Sequence, residues 1–149
     1  MLVSSSSRIL KEPKEPIPAI TRFAGTSIRT LKKHAFKLKN VDVLLLSPRY
    51  GLISPKKKIP YHELIGNNWN RIDFVNNMDF EREKNIAQLQ KVLSRKSYDE
   101  IYVNVGQEMM QLIKGFEDTI PKNIKIVFSR GKGIGPKTAH MKEWIEKQS

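Results

Sequence analysis

Short aliphatic runs along this chain alternate with stretches in which apolar residues recur every three or four positions, an alternation that predicts an α/β domain. Met1 to Val3 reads as a first strand. Four serines follow it, then a segment from Arg8 to Pro18 whose three prolines forbid a regular helix. Ile28, Leu31, Ala35 and Leu38 share one face of a helical repeat, with Thr26 or Ser27 placed to cap its start. The run Val41 to Leu46, VDVLLL, is nearly all apolar and of strand length, as expected of a central strand covered on both faces.

After Ser47, residues 48–78 carry Pro48, Gly51, Pro55, Pro60, Gly66 and several asparagines, which predicts a long loop rather than continuous regular structure. A loop of that length in a compact domain is functional or disordered. Asp79 is placed to cap a helix that directs Phe80, Ile86, Leu89, Val92 and Leu93 to the core, with Glu81 and Glu83 near its positive end. A strand from Glu100 to Val105 leads to a short helix with Met109, Met110, Ile113 and Phe116, where the methionines read as core filler. Ile124 to Phe128 is a fourth strand, and Pro136 opens a last helix with Met141, Trp144 and Ile145 on one face. Helices between successive strands imply a mostly parallel four-stranded sheet in a three-layer α/β/α sandwich, one domain over residues 1–149.

In such sheets ligands bind outside the carboxyl ends of the strands. That rule selects Ser4–Arg8, Ser47–Gly51, Asn104–Gln107 and Ser129–Gly135. Ser5, Ser6 and Arg8 could hold a phosphate through hydroxyls, backbone N–H groups and a guanidinium, or form only a polar turn. Ser47, Arg49, Tyr50 and Gly51 end the second strand, where Arg49 and Tyr50 could clamp a nucleotide. Arg130, Gly131, Lys132, Gly133 and Gly135 precede the last helix, so main-chain N–H groups could approach an anion there. The spacing matches neither a P-loop nor a dinucleotide fingerprint. Asn104 could read a base edge or cap the following helix. In the long loop, His62 beside Glu63 is the one acid–base pair near this edge, and Tyr61 and Trp69 could contact a base.

Composition adds the partner. Against 15 acidic residues stand 27 Lys and Arg, a formal charge of +12, which favours a polyanion such as nucleic acid or a phosphorylated ligand, though a lysine-rich surface also serves solubility. The absence of cysteine excludes disulfides, thiolate metal sites and a cysteine nucleophile, and the three histidines are scattered, so neither metal nor cofactor is expected. No run approaches the roughly 20 apolar residues of a membrane span, and MLVSSSSRIL lacks the pattern of a secretory signal, so a cytoplasmic protein without a membrane partner is expected.

The segment VDVLLLSPRYGLISPKKKIPYHE resembles the core of a small α/β family with an aliphatic strand, a Ser, a Gly-Leu step, a further Pro and a Tyr-containing acidic turn. Ser4 to Ser7, Arg8, Pro18-Ala19 and Gly133-Ile134-Gly135 extend the likeness over nearly the whole chain. That family is similar to the YaaA-like proteins and to the core domain of archaeosine synthase, which implies a uracil-DNA-glycosylase-like sandwich. Ser47-Pro48, Gly51, Pro60-Tyr61 and Gly66 to Trp69 echo the synthase core, whereas its strand-one signature of Cys, Lys-Pro-Tyr, Ser and His has no counterpart in SSSSRILKEPKEPIP. The resemblance implies nucleic-acid or nucleotide binding, tRNA favoured and DNA possible, in modification of a deazaguanine-type base, with His62 and Glu63 supplying any proton transfer. Two other classes stay open: an enzyme on a free nucleotide or nucleobase, and a non-catalytic DNA-binding protein. A homodimer or a partner subunit is compatible with each.

Overall fold

In a computed structural model, which describes residues 1–6, 8–61, 72 and 75–148, the apolar runs pair into a five-stranded sheet. In chain order the elements are β1 (Leu2–Ser4), β2 (Ile17–Pro18), α1 (Ala19–Arg22), α2 (Thr26–His34), β3 (Leu44–Ser47), β4 (Gly51–Ile53), β5 (Lys58–Ile59), α3 (Met78–Leu93), β6 (Glu100–Asn104), β7 (Lys125–Phe128) and α4 (Ile134–Lys147). The sheet order is β4-β3-β1-β6-β7. The four strands β3, β1, β6 and β7 are mutually parallel, and β4 returns antiparallel to β3. A separate antiparallel ribbon joins β2 to β5.

Side chains alternate across the sheet with the period of a strand. Leu2, Leu46, Leu52, Ile101 and Val103 face one layer, which contains Leu89 of α3 and the buried Met109, Leu112, Ile113 and Phe116. Val3, Leu45, Ile53 and Tyr102 face the other, with Ile28 and Leu31 of α2, Met141 and Ile145 of α4, and Phe23 and Ile59. Both faces of β1 and β3 are covered, which is why these strands are runs of aliphatic residues rather than alternations with polar ones. Asn85 of α3, itself buried, ties that helix down: its side chain accepts from the Leu52 N–H at 3.1 Å and donates to the Leu112 carbonyl at 3.0 Å. Gly51 has φ +74°, and a Cβ there would meet the Asn85 oxygen at 2.5 Å.

Several expectations are corrected. The sheet has five strands rather than four, because SPRYGL makes a tight return and adds β4. VDVLLL yields a strand only from Leu44, and β1 holds the middle of the sheet; Asp42 is instead drawn to Tyr98 and Lys96, at 2.6 and 3.1 Å. Residues 48–60 are not simply loop, since β4 and β5 lie within them. Asn77, not Asp79, caps α3 by accepting from the Phe80 N–H, and Phe80 is 58 % exposed at the helix start. The short helix is two 3-10 turns, Met109–Leu112 and Phe116–Thr119, divided by Gly115 at φ +89°. Gly25, rather than Thr26 or Ser27, stands at the N-cap of α2, while α4 starts at Ile134 after Gly133 and holds Pro136 in its first turn.

One side chain departs from the apolar interior. Arg22 is 0 % exposed, and its guanidinium donates to three main-chain carbonyls: Leu10 at 2.8 Å, Glu15 at 2.8 Å and Ile59 at 3.3 Å. It thereby ties the proline-rich segment and α1 to β5. Arg22→Met should lower the unfolding free energy by about 2–5 kcal/mol, since carbonyls left buried without donors cost about 1–3 kcal/mol each. Urea unfolding measures this, alongside Leu45→Ala as a core truncation of similar expected cost, about 2–5 kcal/mol. A loss for Arg22→Met below that of an exposed-lysine variant would remove the role given to it.

Burial pushes the Tyr102 phenol up to about 12, and burial together with the Asp42 carboxylate does the same for Tyr98. Both folded phenols hold their protons more tightly than the ordinary value of 10.0. Their contribution to stability is therefore intact below pH 10 and is lost as pH rises toward 12. Phenolate absorbance in an alkaline titration should show a late-titrating component, reduced in Tyr98→Phe and again in Tyr102→Phe.

Candidate functional site

The parallel strands end beside the starts of two helices, and a cavity of about 370 Å³ opens there. Its strand side is built from Ser4, Ser5 and Ser6 after β1 and from Asn104 and Gly106 at the end of β6. Gly25, Thr26 and Ser27 bring in the start of α2, while Gly133, Ile134 and Lys137 bring in the start of α4. Arg8 closes the side formed by the first loop. Among the described residues, no acidic one lines it.

Local sequence explains each wall. Ser6 accepts from the Gly25 N–H at 3.0 Å and donates to the Arg8 carbonyl at 2.7 Å, so one hydroxyl fixes both the first loop and the start of α2. Arg8 and Leu10 pair through their main chain with Ala24 and Arg22, at 2.8 Å each. Gly25 is demanded by this approach, because a Cβ there would lie 2.4 Å from the Ser6 Cβ. Across the cavity, Ser27 and the buried Thr138 share a hydroxyl hydrogen bond of 2.9 Å, joining α2 to α4. Gly131, at φ +121° and packed against Pro136, shapes the turn into α4, and Gly133 takes φ +83° at its N-cap.

The electrostatics are one-sided. Neither α2 nor α4 has a side-chain cap or an acidic residue in its first turn, so the positive ends of both helices, whose first residues line the cavity, meet no acidic side chain there among the described residues. By contrast α3, elsewhere in the fold, has both the Asn77 cap and Asp79 and Glu81 in its first turn. Asn104 is only 6 % exposed, and its one side-chain hydrogen bond is a weak contact from Nδ2 to the Met141 sulfur at 3.4 Å. Its amide oxygen has no donor among the described residues, a costly state for a buried carbonyl that an N–H group on a ligand would relieve. Ile134, 68 % exposed at the start of α4, adds an apolar surface beside the polar walls.

Of the residues singled out in the sequence, Ser5, Ser6, Arg8, Asn104 and Gly133 line this cavity. Asn104 does not cap a helix; a 3-10 turn begins only at Met109. Ser47 is wholly buried, and its hydroxyl accepts from the N–H groups of Arg49 and Tyr50 at 3.2 and 3.3 Å, so it shapes the β3–β4 return. Arg49 is exposed over the Tyr50 ring at 5.7 Å, and Tyr50 packs on the core; neither, nor Gly51, lines the cavity. Arg130, Gly131, Lys132 and Gly135 belong to the turn and helix start beside it without lining it. Tyr61 lies under Lys14, whose ammonium is 4.7 Å from its ring centre. His62, Glu63 and Trp69 fall outside the described residues.

Sequence reasoning missed Lys137, Gly25 and Ile134. The signal for Lys137 was its place in the first turn of a helix with no acid there. His140 meets the Tyr102 hydroxyl at 2.7 Å, and Trp144 stacks on Tyr102 while donating to Glu100 at 3.0 Å. This is a packed aromatic cluster on the α4 side of the sheet.

No protein-family model matches the chain, and no curated protein matches it. Among the described residues, no helix is long and apolar enough to cross a membrane, and no three His, Asp or Glu side chains are grouped to hold a metal ion.

Gly25→Ala should destabilise the fold by about 1–3 kcal/mol through overpacking against Ser6. Ser6→Gly in the same chain should restore part of the loss in thermal unfolding, because it removes the obstructing Cβ. Additive losses in the double variant would contradict the close approach.

Proposed function

We propose that this domain binds a phosphorylated nucleoside at the carboxyl-edge cavity, as part of a nucleic acid and in the first place tRNA, and that it serves modification of a base there. The observation that carries this reading is the buried Asn104 amide, its oxygen without a donor among the described residues, in a cavity ringed by two helix starts that lack side-chain caps, Arg8 and Lys137. A phosphate would accept from the first N–H groups of α2 and α4 and pair with the two cations. The Asn104 side chain then offers an acceptor and a second N–H to a base edge, and Ile134 offers an apolar surface to a sugar or base. The net charge of +12 and the resemblance of the β3 region to the archaeosine synthase core support the same choice of partner. With it goes the finer fold reading of a uracil-DNA-glycosylase-like sandwich, supported by the parallel order β3-β1-β6-β7 with helices on both faces. His62 and Glu63 are the groups proposed for proton transfer.

A second reading, an enzyme on a free nucleotide, is favoured by the cavity volume of about 370 Å³, within the range of small-molecule sites at about 300–1,000 Å³.

Binding to total tRNA, duplex DNA and mononucleotides across a salt series separates these readings. Tighter and less salt-sensitive binding of tRNA is expected. Arg8→Ala and Lys137→Ala should each weaken it about tenfold or more, the equivalent of one charge-assisted hydrogen bond at about 1.5–3 kcal/mol. Asn104→Leu should erase preference among bases while leaving phosphate binding in place. Weak, equal and steeply salt-dependent binding of tRNA and DNA would reduce the charge to a non-specific field and sink the proposal. Mononucleotide binding without tRNA binding would favour the free-nucleotide enzyme.

A further inference from the structure

The positive charge of this chain is unevenly spread. From Pro16 to Val41 there is no acidic residue, and the stretch includes the whole of α2. Arg29, Lys32, Lys33 and Lys37, with Phe36, recur at the three- and four-residue spacing that puts them on one face of α2 and the turn that ends it. All five are exposed, Phe36 at 42 %. None of the four cations is in an ion pair among the described residues, whereas Lys142 and Lys147 of α4 lie near Glu146 and Glu143 at 3.9 and 3.6 Å. The opposite face of α2, with Ile28, Leu31 and Ala35, is fully used in the core. The helix begins at the carboxyl-edge cavity and carries this ridge away from it.

We infer that the exposed face of α2 is a track for a nucleic-acid backbone, along which the strand runs to and from the nucleotide held in the cavity. The inference rests on the nucleic-acid reading of that cavity and adds the surface that holds the strand outside it. Arg29 to Lys37 spans about 12 Å at about 1.5 Å per residue, room for about three phosphates of one strand when its bases are stacked as in a helix, at about 3.4 Å of axis per phosphate. Phe36 lies among the cations, the interleaving that lets a base stack while its phosphates are neutralised. An anionic membrane is the poorer partner: a helix lying in a bilayer surface needs an apolar face to insert, and that of α2 is buried in the protein.

The test compares wild type with the triple variant Arg29→Ala/Lys33→Ala/Lys37→Ala in the full chain, using a short oligouridylate, uridine monophosphate and phosphatidylserine vesicles. The control variant Lys114→Ala/Lys122→Ala/Lys125→Ala removes the same charge from exposed positions on other segments. Oligouridylate affinity should fall at least tenfold in the α2 variant, and its log–log salt slope should become shallower by about 2, at about 0.7 per phosphate contact on a single strand. Uridine monophosphate binding should stay within twofold, and the control should change little. Unchanged oligonucleotide affinity, an equal loss in the control, or an equal loss of the monophosphate overturns the track. Vesicle binding without oligonucleotide binding overturns it too. Wild type that binds oligouridylate through α2 but no monophosphate would defeat the cavity reading while leaving the track standing.

Discussion

The fold turns on a cation held by carbonyl oxygens. Arg22 lies wholly inside the protein, and no carboxylate pairs with it among the described residues; the carbonyls of Leu10, Glu15 and Ile59 complete its fork. A buried charge is tolerable only when its donors are well satisfied, so those three acceptors are held in place by the cost of leaving it unpaired. The three positions lie on segments with little regular structure of their own. Residues 8–16 contain prolines and glutamates, and β5 is two residues long. What the sheet cannot organise by its ladder is organised by one guanidinium.

That constraint reaches the candidate site through a short chain of contacts. Arg22 and Ala24 pair with Leu10 and Arg8 through the main chain, and the next residue, Gly25, presses against Ser6. Ser6 in turn lies two residues beyond β1, the strand at the middle of the sheet. The position of Arg8 and the direction in which α2 points its first N–H groups are therefore set by the packed centre of the fold. On the far wall, Thr138 performs the same office for α4 by its hydrogen bond to Ser27.

Much of this was legible in the sequence, for a definite reason. Apolar periodicity reports burial, and burial decides where Ile28, Leu31 and Ala35, or Met141 and Ile145, must face. The rule that ligands meet the carboxyl ends of parallel strands then selected four segments, and three of them border the cavity. The fourth, Ser47–Gly51, sits at the correct end of its strand but is consumed by a return to β4. A hydroxyl that caps its own turn cannot be told from one offered to a ligand until the turn is seen. Arg22 was hidden for a similar reason, since a buried arginine and a surface arginine are the same letter. Phe80 erred the other way: nine residues before the buried Leu89, it lies half a turn round α3 from the core face, while Met78 of the same first turn packs on the core.

The distribution of unmet polar groups bears on function more than the charge total does. A helix start capped by glycine forgoes the side-chain acceptor that Ser, Thr, Asp or Asn would supply, at a cost of a few tenths of a kcal/mol. This sequence can supply such caps, as Asn77 does for α3, with acids behind it in the first turn. Yet α2 and α4 begin at glycines with no acid in the first turn, and both begin at the cavity where Asn104 has an acceptor without a donor among the described residues. Random neglect would scatter these losses over the surface. Their convergence on one cavity, beside Arg8 and Lys137, is what an anion with a hydrogen-bonding partner group would make good on arrival.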